Sequence, residues 1–363
     1  MLGTGSLRFV SYCSSSRTSL LVSTARRSFT SCASRSNELQ LKRPSQEAFP
    51  GTEGPHRNDA TPTIAKSVDV KGDWVLFHPV YTPAELKAPE VLHHDAKNFS
   101  DWLAASFVKV ARKSFDIVSG YKHKSIPPDS AMSLEQLRKE GYVMDEQAWL
   151  NRILFLESIA GVPGMVAATL RHLKSIRLMR RDSGWIHTLL EEAENERMHL
   201  MTFMTLRNPG IFFRVMILGA QGVFYNLFFL SYLVSPRTCH RFVGHLEEEA
   251  VLTYTRCIQD IEEGKFPEWK TLDAPEIAKD YWRLAPNATM ADVVYAVRSD
   301  ETTHRFVNHS LANLHQRDIN PFALREPNMH VKGTRIEFDR DTAAKYVEES
   351  QKIMEEHQRP SSL

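Results

Sequence analysis

The sequence reads Glu196-Arg197-Met198-His199 in one segment and Glu301-Thr302-Thr303-His304 in another. Three residues are nearly one turn of a helix, so each segment would present a carboxylate and an imidazole on one helical face. A single Glu-x-x-His is weak evidence for a metal site in a chain with 44 acidic residues and 15 histidines. Glu90-Val91-Leu92-His93 is a third match, and we interpret it as coincidental because it follows Pro89 in a short segment without a long apolar periodicity.

Two further helical patterns each place a carboxylate among apolar residues. Glu157 lies on an otherwise apolar stripe, where an unpaired acid would be costly. In the acidic run 247–249, Glu247 is favoured because it shares a helical face with Val243 and Tyr254. We expect the other two glutamates of the run to point elsewhere.

Four carboxylates and two imidazoles from four helices form the ligand set of a di-iron carboxylate bundle. These donors suit iron or manganese with open coordination positions better than structural zinc. Taken singly, each acid is more simply read as an ion pair on the surface or between helices, but the six together favour a metal centre. The sequence thus predicts an all-α, ferritin-like four-helix bundle with the metal ligands Glu157, Glu196, His199, Glu247, Glu301 and His304.

The bundle is expected within residues 99–317, with helices near 146–179, 185–207, 236–263 and 289–315. Two more helices, near 100–121 and 209–234, are expected to lie in a membrane interface. The first has an apolar stripe with a basic margin, and a core-facing helix is an equally good reading of its periodicity. The second is long enough to span a membrane, yet Arg214, Gln221 and Asn226 interrupt it and favour one leaflet.

The chain ends differ in composition from the bundle. Residues 1–37 contain five arginines and many serines but no acid, which is typical of a mitochondrial transit peptide. We expect cleavage after Phe29, and a disordered tail is the alternative. Residues 38–98 are expected to form a non-helical linker or arm, and residues 318–363 a polar tail.

Charge and cysteine content argue against other classes of protein. The 45 lysines and arginines balance 44 acidic residues, and a net charge of +1 gives no reason to expect a nucleic-acid partner. Outside the N-terminal region the cysteines are Cys239 and Cys257, which form no Cys-x-x-Cys pair. A disulfide framework or thiolate metal site is therefore not expected.

Four stretches closely resemble the motifs of the alternative oxidases, in the order of that family. They are Leu156-Glu157-Ser158-Ile159-Ala160-Gly161-Val162-Pro163-Gly164-Met165, Asn195-Glu196-Arg197-Met198-His199-Leu200, Leu246-Glu247-Glu248-Glu249-Ala250, and Arg298-Ser299-Asp300-Glu301 with His304. The resemblance implies a homodimeric, cyanide-insensitive oxidase that takes electrons from ubiquinol and reduces O2 to water without pumping protons. It would bind two non-haem iron ions through the six ligands above, on the matrix-facing leaflet of the mitochondrial inner membrane.

The resemblance also implies roles for residues around the ligands. Tyr254 would be a redox-active tyrosine, with a packed core tyrosine as the alternative. The residues that would orient the ligands are Asn195, His240, Trp282 and Asp300. The residues that would bind the ubiquinol headgroup are Arg112, Asp116, Arg152, Leu156, Ala250 and Thr253. Arg112 and Asp116 are one helical turn apart, so a plain ion pair is an equally good reading of that pair.

Some features depart from parts of that family. The stretch 123–145 is longer than in plant or trypanosome members and, together with the C-terminal tail, resembles the fungal branch. No cysteine lies between Cys32 and Cys239, which puts in doubt the disulfide and keto-acid regulation of plant members. Rival enzymes are a quinone-ring hydroxylase and a plastoquinol oxidase, which the N-terminus and the motifs disfavour. The rival from another class is a membrane-surface protein that stores or carries metal.

Overall fold

The computed structural model describes residues 78–119, 124, 126, 132–207 and 209–358. The expected transit peptide, its cleavage site and the first part of the expected linker lie outside these residues. The described residues form thirteen helices and no strand, which confirms the all-α prediction. The helices are α1 (Pro83–Lys87), α2 (Phe99–Ser119), α3 (Leu134–Lys139), α4 (Glu146–Ala160), α5 (Val162–Leu178), α6 (Trp185–Leu206), α7 (Ile211–Val234), α8 (Pro236–Glu262), α9 (Glu268–Thr271), α10 (Glu276–Trp282), α11 (Met290–Asn313), α12 (Met329–Thr334) and α13 (Arg340–Gln358).

Side-chain caps fix where the long helices begin. Asp145 Oδ1 accepts a hydrogen bond from the backbone N–H of Ala148 at the start of α4. Ser235 caps α8 in the same way, and Asp292 accepts from the backbone N–H of Thr289 at the start of α11. Each cap satisfies backbone donors that the first helical turn leaves without a partner, so these helices start where the sequence predicts.

α4 and α5 replace the single long helix that the sequence predicts over residues 146–179. The break falls at Gly161, since the following Pro163 has no N–H with which to continue the helical hydrogen bonds. Next to the break, α5 approaches α6 closely: a Cβ on Gly164 would lie 2.7 Å from the carbonyl oxygen of Leu189. The small residues after the break therefore allow the two helices to pack with their backbones near contact.

α11 is the central helix of the bundle. Of its 24 residues 19 are buried, and α8 packs along it. Two hydrophobic clusters fill the bundle, and on α8 Glu247 falls between Val243 of one cluster and Tyr254 of the other. Glu196 on α6 and Glu301 on α11 hold the same intermediate position. The helices α4, α6, α8 and α11 therefore enclose a polar space between two apolar layers.

Two helices expose apolar side chains to the outside. α2 packs on α8 through Ala104 and Val108, but its Phe99, Trp102 and Ile117 are exposed. In α7 the buried residues are confined to two aromatic side chains near its C-terminal end. Among the described residues, two helical stretches are long and apolar enough to cross a membrane, Glu146–Leu178 and Ile211–Val234. The apolar window of the first is 56% buried inside the protein, and that of the second is 11% buried. The first is therefore a core element, whereas the second has an uncovered apolar surface.

The polar interruptions of α7 have local partners. The side-chain amide of Gln221 donates to the carbonyl of Ser158 on α4 at 2.7 Å, and Asn226 donates to the carbonyl of Gly222 within α7. Arg214 donates to a backbone carbonyl just before the helix. These hydrogen bonds lower the cost of placing the polar side chains of α7 in an apolar environment.

The two flanking segments are more ordered than their composition suggests. The arm contains α1, whose start has a capping box between Thr82 and Glu85, although prolines led us to expect irregular structure there. The polar C-terminal segment contains α12 and α13, and its Phe322 and Phe338 pack against Phe306 of α11. A few aromatic side chains in a polar segment are therefore enough to attach it to the bundle.

Candidate metal centre

Six side chains from four helices converge in the polar space of the bundle. Ligand atoms of Glu157, Glu196, His199 and Glu301 lie within 4.8 Å of one another. A second group with the same spacing contains Glu196, Glu301, Glu247 and His304. The two groups share Glu196 and Glu301, so the arrangement suits two neighbouring metal ions bridged by two carboxylates.

Both imidazoles turn Nδ1 toward the carboxylates. His304 Nδ1 lies 2.7 Å from Glu196 Oε1 and 3.6 Å from Glu301 Oε2. His199 Nδ1 lies 3.4 Å from Glu301 Oε1 and 3.5 Å from an oxygen of Glu157. All six side chains are buried, so water does not separate them.

The donor atoms fit metal ions better than they fit one another. Six of these buried atoms form no hydrogen bond of acceptable geometry, even where another donor atom lies close; they are Glu157 Oε2, both oxygens of Glu196, His199 Nδ1, Glu301 Oε2 and His304 Nδ1. Buried polar atoms are nearly always paired, so this many unpaired atoms in one place call for a further group. Oxygen and imidazole donors in open geometry match iron or manganese, as the sequence predicts.

The pKa values of the candidate ligands Glu157 and Glu247 also favour a site for cations. Burial raises the pKa of Glu157 to about 8, although contacts with His199 oppose the shift. Burial, followed by the charge of Glu301, raises the pKa of Glu247 well above its usual value. Burial also opposes the charge on Glu196, but contacts with His199 and His304 outweigh it and lower the pKa of that residue. Bound cations would stabilise the ionised forms of Glu157 and Glu247.

Asp300 fixes the orientation of His199. Its Oδ2 lies 3.0 Å from His199 Nε2 and also accepts hydrogen bonds from Asn195 at 3.0 Å and Trp282 Nε1 at 2.8 Å. Burial opposes the charge on Asp300, but contacts with His78 and His199 outweigh it and hold the pKa well below the usual range. An ionised Asp300 accepts a hydrogen bond from the N–H of His199 Nε2. The proton therefore stays on Nε2, and the lone pair of Nδ1 can bind metal.

The N-terminal arm completes the surroundings of Asp300. His78 Nε2 lies 2.9 Å from Asp300 Oδ1, and the hydroxyl of Tyr81 donates to the same oxygen at 2.6 Å. Neither residue is predicted from the sequence, because both lie more than 200 positions away from Asp300 in a segment taken for a linker. The sequence pattern that could have indicated them is weak, since it consists only of His78 and Tyr81 close together beside prolines.

His240 is connected to the candidate ligand His304 through Asn308. Its Nδ1 donates to Asn308 Oδ1, and its Nε2 accepts from the Tyr232 hydroxyl. Asn308 in turn donates to Glu192 at 2.7 Å and to the backbone carbonyl of His304 at 3.1 Å. Burial raises the pKa of Glu192 to about 7, and the sequence analysis did not single out this acid.

Tyr254 is buried directly beside a candidate ligand. Its hydroxyl donates a hydrogen bond to Glu157 Oε1, and its ring stacks on Phe203. Burial, followed by the charge of Glu157, raises the pKa of Tyr254 well above its ordinary value. The phenol therefore stays protonated, with its proton directed at Glu157.

A second polar group joins α2, α4 and α8 next to this centre. Arg112 donates to Glu249 at 2.7 Å, to Asp116 at 3.3 Å and to Thr253 Oγ1 at 3.4 Å, and Arg152 donates to Asp116 at 3.0 Å. Leu156 and Ala250 are half-buried neighbours of Glu157 and Glu249 in the chain. The structure thus brings Arg112, Asp116, Arg152 and Thr253 together, and it adds Glu249, which the sequence analysis set aside.

Glu90 and His93, which also form a Glu-x-x-His match, lie away from the candidate metal centre. His93 lies at the edge of the bundle, 3.1 Å from Glu248, and its side chain is half-exposed. Neither Glu90 nor His93 belongs to the two donor groups.

Comparisons with known proteins agree on one family. The family model described as alternative oxidase matches residues 81–313. A mitochondrial alternative oxidase of Cryptococcus neoformans var. grubii is 52% identical over 320 residues, which cover 86% of this chain and 80% of the relative. One of Emericella nidulans is 57% identical over 265 residues, which cover 72% of each chain. One of Yarrowia lipolytica is 51% identical over 252 residues, which cover 69% of each chain.

The acidic run on α8 offers a matched test of the metal centre. Glu247→Ala removes a donor from the second group and should lower the bound iron from about two ions per chain to about one or none. Glu249→Ala removes an equal charge two residues away and should leave the iron content unchanged. Iron is measured by mass spectrometry on the purified proteins, and equal iron in both variants would contradict the assignment of Glu247.

Proposed function

This chain belongs to the alternative oxidase family, and we propose that it is a mitochondrial, cyanide-insensitive ubiquinol oxidase that works with two non-haem iron ions. Two ubiquinol molecules would give four electrons and four protons to one O2, forming two ubiquinones and two waters. The observation that carries this proposal is the pair of donor groups that share Glu196 and Glu301. The family membership confirms the resemblance predicted from the four sequence motifs.

The six side chains would divide between the two iron ions. His199 and Glu157 would serve one ion and His304 and Glu247 the other, with the two shared glutamates between them. Bound iron would supply the chemistry toward oxygen that side chains alone lack. The contribution of the protein is a dry, fixed set of donors, and Asp300 keeps the Nδ1 atom of His199 directed at the centre.

Tyr254 has the surroundings of a redox-active tyrosine. A tyrosine that loses an electron must also release its phenolic proton, and Glu157 Oε1 is the hydrogen-bonded acceptor. The ring of Phe203 and the surrounding core exclude water from the phenol. Electron loss from Tyr254 would therefore be coupled to a short proton transfer to Glu157.

The polar group around Arg112 would bind the ubiquinol headgroup. Arg112 can donate to a quinol oxygen, while Asp116 and Glu249 can accept the protons released on oxidation. Thr253 lies next to Tyr254 on α8, and Leu156 lies next to Glu157 on α4. The headgroup would thus contact residues that are chain neighbours of a candidate iron ligand and of the tyrosine. This proximity favours electron transfer between the two sites.

The uncovered apolar side chains of α2 and α7 support attachment to one leaflet. Phe99 and Trp102 on α2 and Ile211 and Phe212 on α7 are more than half exposed, which is unusual for a surface in water. We place this surface in the matrix-facing leaflet of the mitochondrial inner membrane, where ubiquinol is dissolved. Helices held in one leaflet offer no proton path across the bilayer, so the reaction would not pump protons.

A second exposed apolar surface supports a homodimer. It lies on α5 and α6 and contains Met165, Leu173, Ile176, Leu178 and Leu190. A patch of this kind on a helical pair is typical of a subunit interface. Self-association through α5 and α6 would leave α2 and α7 available to the membrane.

Metal storage is the alternative function for the same ligands. A storage site has no use for a buried tyrosine on a ligand or for the arginine and acidic residues beside it. Both features favour an oxidase over a storage protein.

Oxygen uptake with ubiquinol in the presence of cyanide tests the proposal directly. The purified protein should consume one O2 for two ubiquinols, and Glu196→Ala should lower kcat by at least roughly a hundredfold because a shared donor is lost. Glu194→Ala, which removes an exposed acid from the same helix, is the control and should retain activity. Normal iron binding without any oxygen uptake would favour storage instead.

The headgroup site is tested by Arg112→Ala. Loss of a charged hydrogen-bond donor should raise the KM for ubiquinol roughly tenfold to a hundredfold. Lys113→Ala removes an exposed cation one position away and should leave the KM unchanged. A lower kcat with an unchanged KM for Arg112→Ala would argue against a role in ubiquinol binding.

Membrane attachment is tested by flotation with vesicles that contain cardiolipin. Leu218→Glu on α7 places a charge on the exposed surface and should reduce vesicle binding at least roughly tenfold without lowering the melting temperature. Ile319→Glu, also at an exposed apolar position but outside α2 and α7, is the control. Equal loss of binding in both variants would show that the attachment does not depend on α7.

A further inference from the structure

The three glutamates of the run 247–249 point in three directions. Successive residues on a helix differ by about 100° around its axis. Glu247 faces the candidate metal centre, Glu249 pairs with Arg112, and Glu248 faces a third direction, toward the N-terminal arm and His309 of α11. Nothing in the proposed reaction uses Glu248, although it is buried.

The carboxylate of Glu248 receives hydrogen bonds from three parts of the chain. Its Oε1 lies 2.7 Å from His309 Nε2 on α11 and 3.1 Å from His245 Nδ1 on α8. The backbone N–H of His94 in the arm donates to the same oxygen at 3.0 Å, and His93 Nδ1 lies 3.1 Å from Oε2. We call these five residues the Glu248 cluster.

The cluster has the residue types of a metal site, but its hydrogen bonds argue against one. Ligand atoms of His245, Glu248 and His309 lie within 4.8 Å of one another. However, Arg241 Nη1 lies 2.8 Å from His309 Nδ1, and a guanidinium can only donate. His309 Nδ1 therefore accepts, so the proton is on Nε2 and is donated to Glu248. A metal ion on Nε2 would have to displace that proton and leave the ring without any N–H.

The arm contacts the helices beside the metal ligands at two places. Glu248 directly follows Glu247 on α8, and Asp300, which His78 and Tyr81 contact, directly precedes Glu301 on α11. Both contacts are formed by residues 78–94. The arm therefore fixes α8 and α11 next to their ligands.

We propose that Glu248 is a positioning residue: its hydrogen bonds to the arm and to His309 fix the rotation of α8, and so direct Glu247 at the metal centre and Glu249 at the ubiquinol site. The inference rests on the proposed function of those two sites. A side chain ends roughly 6 Å from the helix axis, so a rotation of only 10° moves a carboxylate by roughly 1 Å. A displacement of that size can lower a rate by roughly a hundredfold.

Two substitutions separate the hydrogen bonds of Glu248 from its charge. In Glu248→Gln the amide oxygen still accepts from His309, His245 and the backbone of His94, and the amide nitrogen can donate to His93. This variant should stay within about threefold of the wild type in kcat and in KM for ubiquinol. Glu248→Ala loses every contact and should lower kcat at least roughly tenfold, raise KM, and alter the electron paramagnetic resonance spectrum of the iron centre.

Asn320→Ala is the control for a general loss of stability. Asn320 is fully buried and bonded to Thr188 and to the backbone of Gly184, away from the Glu248 cluster. The melting temperature of Asn320→Ala should fall, but the electron paramagnetic resonance spectrum of this variant and its KM for ubiquinol should match those of the wild type. If Glu248→Ala does not fold, His93→Ala removes the half-exposed donor alone and should shift the spectrum and KM in the same direction, to a smaller degree.

Several results would overturn the inference. One is an unchanged spectrum, kcat and KM in Glu248→Ala or His93→Ala. Another is a change in spectrum, kcat and KM in Glu248→Gln that is as large as in Glu248→Ala. A third metal ion per chain that is lost in Glu248→Ala would make the cluster a metal site. A wild-type protein that binds iron but does not oxidise ubiquinol would instead contradict the proposed function, and the spectra of the variants would still test the positioning.

Discussion

Four glutamates meet in a space closed to bulk water, and the repulsion between their charges is the constraint on which the rest of the structure depends. Burial raises the pKa of Glu157 and Glu247, whereas His199 and His304 are held close enough to balance part of the charge. Two apolar layers above and below this space keep it dry. Such an arrangement is stable as a fully ionised cluster only when cations complete it, which is why the unpaired donor atoms and the fold lead to the same proposal.

The bundle holds this cluster through contacts made by the residues that are next to the ligands in the chain. Asp300 beside Glu301 collects His199, Asn195, Trp282 and two residues of the arm. The Glu248 cluster does the same beside Glu247, and the close approach at Gly164 brings α5 against α6. Residues 78–98 and the bundle therefore behave as one structural unit around the site, rather than as a linker and a domain.

The outer surface connects this centre to a hydrophobic substrate. Arg112 stands on α2, a helix with one side packed on α8 and the other side apolar and exposed. The same helix would thus touch lipid on one side and the ubiquinol headgroup on the other. α8 continues the path, since Glu249 and Thr253 contact Arg112 while Tyr254 contacts Glu157.

The sequence by itself predicted the long helices of the bundle and the six candidate donors, because both predictions depend on spacing within single helices. A Glu and a His three residues apart share a face wherever the helix lies, and an acid on an apolar stripe must face the core. The sequence could not determine the break at Gly161, the helices of the C-terminal segment, or the partners of Asp300, Glu248 and Arg112. Among those contacts, Arg112 with Glu249, Glu248 with His94 and Asp300 with His78 join residues 137 to 222 positions apart, and only the packing of the helices brings them together.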